Sequence, residues 1–161
     1  MNALLINALR VVIVLTLAGT LFVQLWMMPV IWRDLDGAPP VLRTIFVVIL
    51  VLGVLTLQVS AVCVWPLLAM VRRGSVFSDA AFRYVDVIIV AIASAAVLTF
   101  ALAVLLAPGD VAPGIVGLIC GAALIIGGVA LIVLVLRLLL SQAVAREREA
   151  ERLRSELREV I

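Results

Sequence analysis

Four long apolar stretches constrain this chain more than any other feature of its sequence. They cover residues of about 11–31, 41–71, 85–106 and 111–136. A helix that crosses the hydrocarbon core of a bilayer needs about 20 mostly apolar residues. Hydrophobic residues make up 66% of the chain, whereas soluble domains are about half apolar. A soluble fold of this length has too little interior to bury them, so the predicted fold class is all-α, a four-helix transmembrane bundle.

The arginines predict how the spans are oriented, because cytoplasmic segments near membrane ends carry the excess of Arg and Lys. With the N-terminus inside, only Arg33 and Arg43 lie on the outer side. The other ten are cytoplasmic, namely Arg10, Arg72, Arg73, Arg83, Arg137, Arg146, Arg148, Arg152, Arg154 and Arg158. Both termini are therefore predicted to be cytoplasmic, in a multi-pass membrane protein. We expect the first span to be an uncleaved signal anchor, since its apolar run is too long for a signal peptide.

The last span leads into a charged tail, so we divide the chain into a transmembrane domain, 1–140, and a cytoplasmic helical tail, 141–161. The tail contains strong helix formers and neither Gly nor Pro, which predicts that the fourth helix continues into the cytoplasm. Ala150, Leu153, Leu157 and Val160 follow a 3-4-3 spacing and form one apolar stripe. Three surfaces could bury this stripe: the protein's own cytoplasmic turn, a second copy of the chain, or a partner protein.

The single cytoplasmic turn, 72–84, reads RRGSVFSDAAFRY. Gly74 can end the second helix, Ser78 can cap the third, and Phe77 and Phe82 have the spacing of a hydrophobic staple. This pattern indicates a well-built turn at an anionic membrane surface. The alternative is a docking site for a cytoplasmic protein, and its candidate residues are Arg72, Arg73, Phe77 and Arg83 of the turn with Leu153, Leu157 and Val160 of the tail.

Polar residues within the spans define one further candidate. Thr16, Thr20 and Gln24 are spaced i, i+4, i+8 and share one face of the first helix, and Thr56 and Ser60 share a face of the second. Such residues usually bond across helices or back to their own carbonyls. The alternative is a polar cavity for a small ligand. In either case the Gln24 amide is expected to have a partner.

Ionisable residues stay near the predicted span ends, where Asp86 can pair with Arg83 or Arg137. The absence of a deep carboxylate counts against a proton-coupled transporter. In the fourth span Gly117 and Gly121 form a GxxxG pair, which predicts close helix packing within one chain or between copies, and so a possible homo-oligomer.

Proline also shapes two spans. Pro29 is expected to bend or end the first helix, and Pro66 to kink the second.

The sequence has no His, and Cys63 and Cys120 lie in apolar runs where a thiol behaves as a small hydrophobe. Neither a nucleophile–base pair nor a phosphate-binding loop is recognisable. We therefore expect a non-enzymatic protein with no cofactor, no metal and no direct contact with nucleic acid.

The turn and tail together resemble a family of small four-span bacterial membrane proteins classed as a domain of unknown function. The resemblance rests on GSVFSDAAFRYV and EREAERLRSELREVI. Ala81 and Arg158 depart from the family pattern, which commonly has Asn and an acidic residue there. Relatives are often encoded beside a small helix-turn-helix regulator, and this implies a membrane partner or sensor for a DNA-binding protein.

Two functions follow as hypotheses. The first is a membrane sensor or regulator that acts through its cytoplasmic turn and tail. The second is a small transporter, channel, or lipid- or ligand-binding protein that uses the Thr16–Thr20–Gln24 face.

Overall fold

The structure is a computed structural model that describes residues 3–37, 39–72, 79–109 and 111–160. Every regular element in these ranges is helical, as the sequence predicts. The helices are α1 (Ala3–Phe22), a π-helical turn (Val23–Met27), α2 (Met28–Asp34), α3 (Pro40–Arg72), α4 (Asp79–Leu106) and α5 (Pro113–Val160). Proline opens both α3 and α5, where its missing N–H would have no partner within the helix.

Four of the described segments are long and apolar enough to cross a membrane. They are Asn7–Asp34, Pro40–Met70, Ala81–Leu106 and Pro113–Glu156, with mean hydropathy between 2.2 and 2.9. The first combines most of α1 with the π-helical turn and α2. These helices confirm the predicted all-α transmembrane class, and each is longer than the minimum of about 20 residues.

The π-helical turn explains how the first span accommodates Pro29. Within an α-helix, proline lacks a donor and its ring clashes with the carbonyl four residues earlier, here Leu25. The wider π-helical turn Val23–Met27 contains that carbonyl, and the chain remains helical to Asp34. Pro29 therefore alters the hydrogen-bond pattern of the span without ending it. Pro66 lies inside α3, which runs as one helix from Pro40 to Arg72.

The helices pack mainly in chain order. The first span packs on α3, α3 on α4, and α4 on α5. Small side chains are among the most buried, since Ala103 is fully buried and Ala91, Ala123 and Ala130 are nearly so. A Cβ added at Gly127 would lie 3.8 Å from the Cβ of Ala96 on α4. Close backbone approach through small residues is the usual way in which membrane helices associate.

Gly117 and Gly121 do not take part in this contact. A Cβ added at either glycine would have no atom of the described residues within 4 Å, outside its own helix backbone. A close approach to α4 lies further along α5, at Gly127. The GxxxG pair thus makes no close packing with the described residues of the chain, and a contact between copies stays a prediction.

Candidate functional sites in the helix bundle

Two glutamine side chains meet near the middle of the first two spans. Gln58 Nε2 on α3 donates to Gln24 Oε1 in the π-helical turn at 2.9 Å, and it lies 3.4 Å from Thr20 Oγ1. Gln24 Nε2 in turn donates to the backbone carbonyl of Val51 at 3.3 Å. These contacts supply the partner expected for Gln24. Among apolar side chains such bonds join α1 to α3 at a defined register.

Gln58 is a residue that sequence reasoning missed. It lies between Thr56 and Ser60, whose hydroxyl groups donate to carbonyls of their own helix, those of Gly53 and Thr56. The hydroxyl groups of Thr56 and Ser60, the pair that sequence analysis identified, therefore bond within their own helix. The Gln58 amide between them makes the contact with the first span. An amide near the middle of a 31-residue apolar segment was the signal that could have identified it.

The predicted polar face of α1 is only partly used. Thr16 Oγ1 donates to the Val12 carbonyl at 2.8 Å, and the Thr16 side chain is exposed on the outside of the helix. Thr20 Oγ1 donates to the Thr16 carbonyl at 2.9 Å while its oxygen also faces Gln58. The structure therefore brings Thr20 and Gln24 together with Gln58 and leaves Thr16 outside this cluster.

Arginine–aromatic contacts secure both ends of the first hairpin. At one end the Arg10 guanidinium lies 5.6 Å from the Trp65 ring centroid. At the other end, the Arg43 guanidinium lies 4.1 Å from the centroid of Trp32, and its Nη1 is 2.6 Å from Asp36 Oδ1. Cation–π contacts are favourable where the charge is partly removed from water. Each contact joins the first span to α3.

A basic cavity lies where α4 begins and α5 leaves its apolar stretch. It has a volume of about 350 Å³. Its polar lining comes from Arg83 and Asp86 of α4 and from Arg137, Ser141 and Arg148 of α5. Three arginines and one aspartate give these lining residues a net positive charge of two, and the cavity is therefore suited to an anion.

One ion pair organises this cavity. Arg137 Nη2 is 2.8 Å from Asp86 Oδ2, and the Arg137 guanidinium lies 5.7 Å from the Phe82 ring centroid. The predicted pairing of Asp86 is thus confirmed with Arg137, one of its two expected partners. Arg83 lines the same cavity from an exposed position on α4. Since Asp86 is engaged by Arg137, the Arg83 charge adds to the positive field of the cavity.

The other predicted turn residues are less fully described. Arg72 is the last residue of α3, and its side chain lies outside the described part of the structure. Arg73 and Phe77 lie outside the described residues altogether, as do Gly74 and Ser78. Their proposed roles in partner binding stay predictions.

The tail extends as a continuous part of α5, as predicted. All side chains from 145 to 156 are exposed, and Leu153 keeps 55% of its surface accessible. An exposed i, i+4 ion pair joins Arg152 Nε to Glu156 Oε1 at 3.4 Å. Leu157 and Val160 continue the helix backbone, while their side chains lie outside the described set. The described residues therefore leave Ala150 and Leu153 of the stripe exposed.

The described part of the chain contains no group of three or more His, Cys, Asp and Glu residues positioned to hold a metal ion. Cys63 and Cys120 are free thiols of intermediate exposure.

These features define a multi-pass helical membrane protein with a basic cavity at one end of its spans and a charged helix beyond them. The chain belongs to the family described as Protein of unknown function (DUF2975), whose model matches residues 6–161. This membership confirms the resemblance seen in the turn and tail. Neither a curated protein nor a solved structure matches the chain.

Proposed function

We propose that this protein is a non-enzymatic membrane regulator of the bacterial cytoplasmic membrane, which presents its C-terminal helix to a cytoplasmic protein. The observation that carries the proposal is the exposed tail of α5, which continues a membrane span without interruption. The membrane-spanning helices hold the tail at the membrane and respond to the membrane or envelope. The tail provides the surface on which a soluble protein acts.

The positions of the arginines in the helices support the proposed orientation. Arg10 contacts Trp65, and Arg137 contacts Phe82, so the start of α1, the end of α3, the start of α4 and the tail share one end of the spans. Arg33 and Arg43 belong to the other end, beside Trp32. The positive-inside rule assigns the arginine-rich end to the cytoplasm. The tail then lies in the compartment that contains soluble regulators.

The length of α5 supports a role outside the bilayer. Its 48 residues correspond to about 72 Å of helix, whereas the hydrocarbon core is about 30 Å thick. The part from Arg137 to Val160 alone extends roughly 35 Å. Because this part contains half of the chain's charged residues, we infer that it lies outside the hydrocarbon.

The charge pattern of the tail favours a protein over the lipid surface as its partner. Residues 141–161 contain five Arg and five Glu, so the tail has no net charge to draw it onto anionic lipid. Alternating charges beside an apolar stripe are typical of helices that pair with another helix or lie in a groove. Leu153 is the larger of the two stripe residues whose side chains the structure describes. We therefore assign the stripe to a cytoplasmic protein with a complementary apolar groove.

The test is a mild-detergent pull-down from the native host with the full chain and three variants. One variant is truncated after Leu140, one carries Leu153→Glu, and one carries Ser155→Glu as the matched control. Ser155 is exposed and lies about 200° around the helix from Leu153, so it receives the same new charge on the opposite face. Mass spectrometry identifies bound proteins, and light scattering counts copies of the chain.

The expected result is a cytoplasmic protein that binds the full chain and Ser155→Glu but neither Leu153→Glu nor the truncated chain. Two results would overturn the proposal. A protein retained equally by all four chains would not depend on the tail. A copy number that falls only in the truncated chain and Leu153→Glu, with no other protein bound, would assign the stripe to self-association.

A small transporter, channel or ligand-binding protein is the second candidate, and the amide cluster in the π-helical turn is the observation that favours it. π-helical turns are frequent at functional sites. Gln24 and Gln58 bond to each other, however, which favours helix packing. A substrate flux or ligand affinity that is lost in Gln24→Leu, with the fold intact, would favour this candidate.

A further inference from the structure

The basic cavity adjoins an apolar groove, and this combination is the basis of a further inference. The groove has a volume of about 210 Å³ and is lined by Leu67 of α3, Val85 of α4, and Val133 and Leu140 of α5. Phe82 and Arg137 line both the groove and the basic cavity. A positively charged compartment thus opens beside an apolar one, at the level where the spans end.

We propose that these two compartments form a binding site for one anionic phospholipid. The phosphate occupies the basic cavity and an acyl chain lies in the apolar groove. Arg83 and Arg137 supply N–H donors for the phosphate oxygens, and guanidinium groups suit such oxygens because they can donate two parallel bonds. Basic pockets between membrane helices are suited to anionic head groups.

The position of Arg137 distinguishes this site from general attraction to a charged surface. Its Nη2 is held by Asp86, and its guanidinium lies against Phe82. These contacts fix the guanidinium between the cavity and the groove, with 27% of its side chain accessible. Most tail arginines, such as Arg146, are exposed and belong to neither compartment. The site therefore requires particular arginines and not merely basic charge.

The apolar groove also distinguishes a lipid from a free phosphate ion. An inorganic anion needs only the basic cavity. Hydrocarbon in the groove would remove apolar surface from water, which is favourable. Both sources share a phosphate group, so the test must separate them. The groove leads us to assign the site to the lipid.

The test measures which lipids stay bound to the full chain. The protein is purified in mild detergent, equilibrated with equal amounts of phosphatidylglycerol and phosphatidylcholine, and the retained lipids are quantified by mass spectrometry. Arg83→Gln removes a cavity charge, and Arg146→Gln is the matched control on the same end of the molecule. Leu140→Trp fills the groove, and Leu139→Trp adds the same ring at an adjacent exposed position outside the groove residues. Arg137→Gln is a further variant. Its lipid content is interpreted only if it elutes from a size-exclusion column at the same volume as the unmodified chain.

We expect the unmodified chain to retain phosphatidylglycerol preferentially, and Arg83→Gln to lower that preference about fivefold. Leu140→Trp should reduce the total lipid retained, while Arg146→Gln and Leu139→Trp should leave both quantities unchanged. Equal losses in Arg83→Gln and Arg146→Gln would overturn the proposal in favour of general surface attraction. If inorganic phosphate displaces the bound lipid and Leu140→Trp retains as much lipid as Leu139→Trp, the site is one for a free anion and the lipid assignment is wrong.

Discussion

Gln58 Nε2 lies 2.9 Å from Gln24 Oε1 and joins the first two spans near their centres. An amide pair in an apolar medium has few other partners available, and it therefore selects one register of α1 against α3. The π-helical turn places Gln24 within reach of both Gln58 and the Val51 carbonyl. The pair thus connects a local irregularity of the backbone, just before Pro29, to the packing of the first hairpin.

The first prediction concerns this pair. Gln24→Leu and Gln58→Leu should each lower the free energy of unfolding by about 1 kcal/mol, because cross-helix hydrogen bonds in membranes contribute roughly 0.6–2 kcal/mol. The double variant should lose less than the sum of the two. Denaturation in mixed micelles measures all three. Thr16→Val is the control, since the Thr16 hydroxyl bonds to its own helix, and additive losses in the double variant would show that the two amides act separately.

The second prediction concerns the outer end of the first hairpin. Arg43→Gln removes the contact with the Trp32 ring and the ion pair with Asp36. It should lower the free energy of unfolding by about 1 kcal/mol, as a partly buried cation–π contact does. Arg33→Gln removes the same charge from an exposed position nearby and should change stability little. If the two substitutions lower the free energy of unfolding equally, the loss comes from the removed charge and not from the contacts with Trp32 and Asp36.

The third prediction concerns the approach of α4 and α5. Gly127→Ala should be tolerated, because a Cβ there would lie 3.8 Å from the Cβ of Ala96, an ordinary contact distance. Gly127→Leu should lower the free energy of unfolding by about 1–3 kcal/mol, as overpacking does. Gly117→Leu, whose Cβ would face open space, should leave the monomer fold unaffected. Thermal unfolding of the three variants makes the comparison.

Gly117→Leu also addresses association between copies. If the GxxxG face holds two copies together, light scattering of the detergent complex should show a lower copy number in Gly117→Leu. An unchanged copy number would remove the GxxxG pair as an oligomer contact.

The fourth prediction concerns orientation. After Cys63→Ser and Cys120→Ser remove the native thiols, a single cysteine is introduced by Gly37→Cys or Arg146→Cys. Gly37→Cys should react with a membrane-impermeant thiol reagent in cells whose cytoplasmic membrane is intact. Arg146→Cys should react only after the membrane is permeabilised. The reverse pattern would mean that the arginine-rich end faces outward, against the positive-inside rule, and that the tail cannot meet a cytoplasmic partner.

The sequence predicted correctly those features of the fold that depend on one segment of the chain. The length and apolar character of the spans fix the fold class, and the absence of Gly and Pro after Gly128 fixes the continuity of the last helix. An ion pair of Asp86 at the span ends was also expected, with Arg83 or Arg137 as its partner, and the structure shows Arg137. Each of these predictions requires knowledge only of one helix or of the order in which the helices follow one another.

Features that depend on the register between helices were not accessible in this way. Gln58 was passed over because an i, i+4 pattern on α3 identified Thr56 and Ser60, whose hydroxyls bond within the helix. The contact of Gly127 with Ala96 depends on the height at which α4 and α5 cross, whereas GxxxG spacing alone pointed to Gly117 and Gly121. The π-helical turn could be anticipated as a disturbance near Pro29 but not as a specific backbone form.

The continuity of α5 has a mechanical consequence. No Gly or Pro follows Gly128, so nothing in the sequence provides a hinge between the second half of the span and the tail. We therefore expect the part beyond Arg137, about 35 Å long, to move as one rigid body with the span. A tilt of about 10° in the span displaces the tip of the tail by about 6 Å, roughly one helical turn. Under the proposed function, a small change in the tilt of the span would therefore reach a partner of the tail as a displacement of this size.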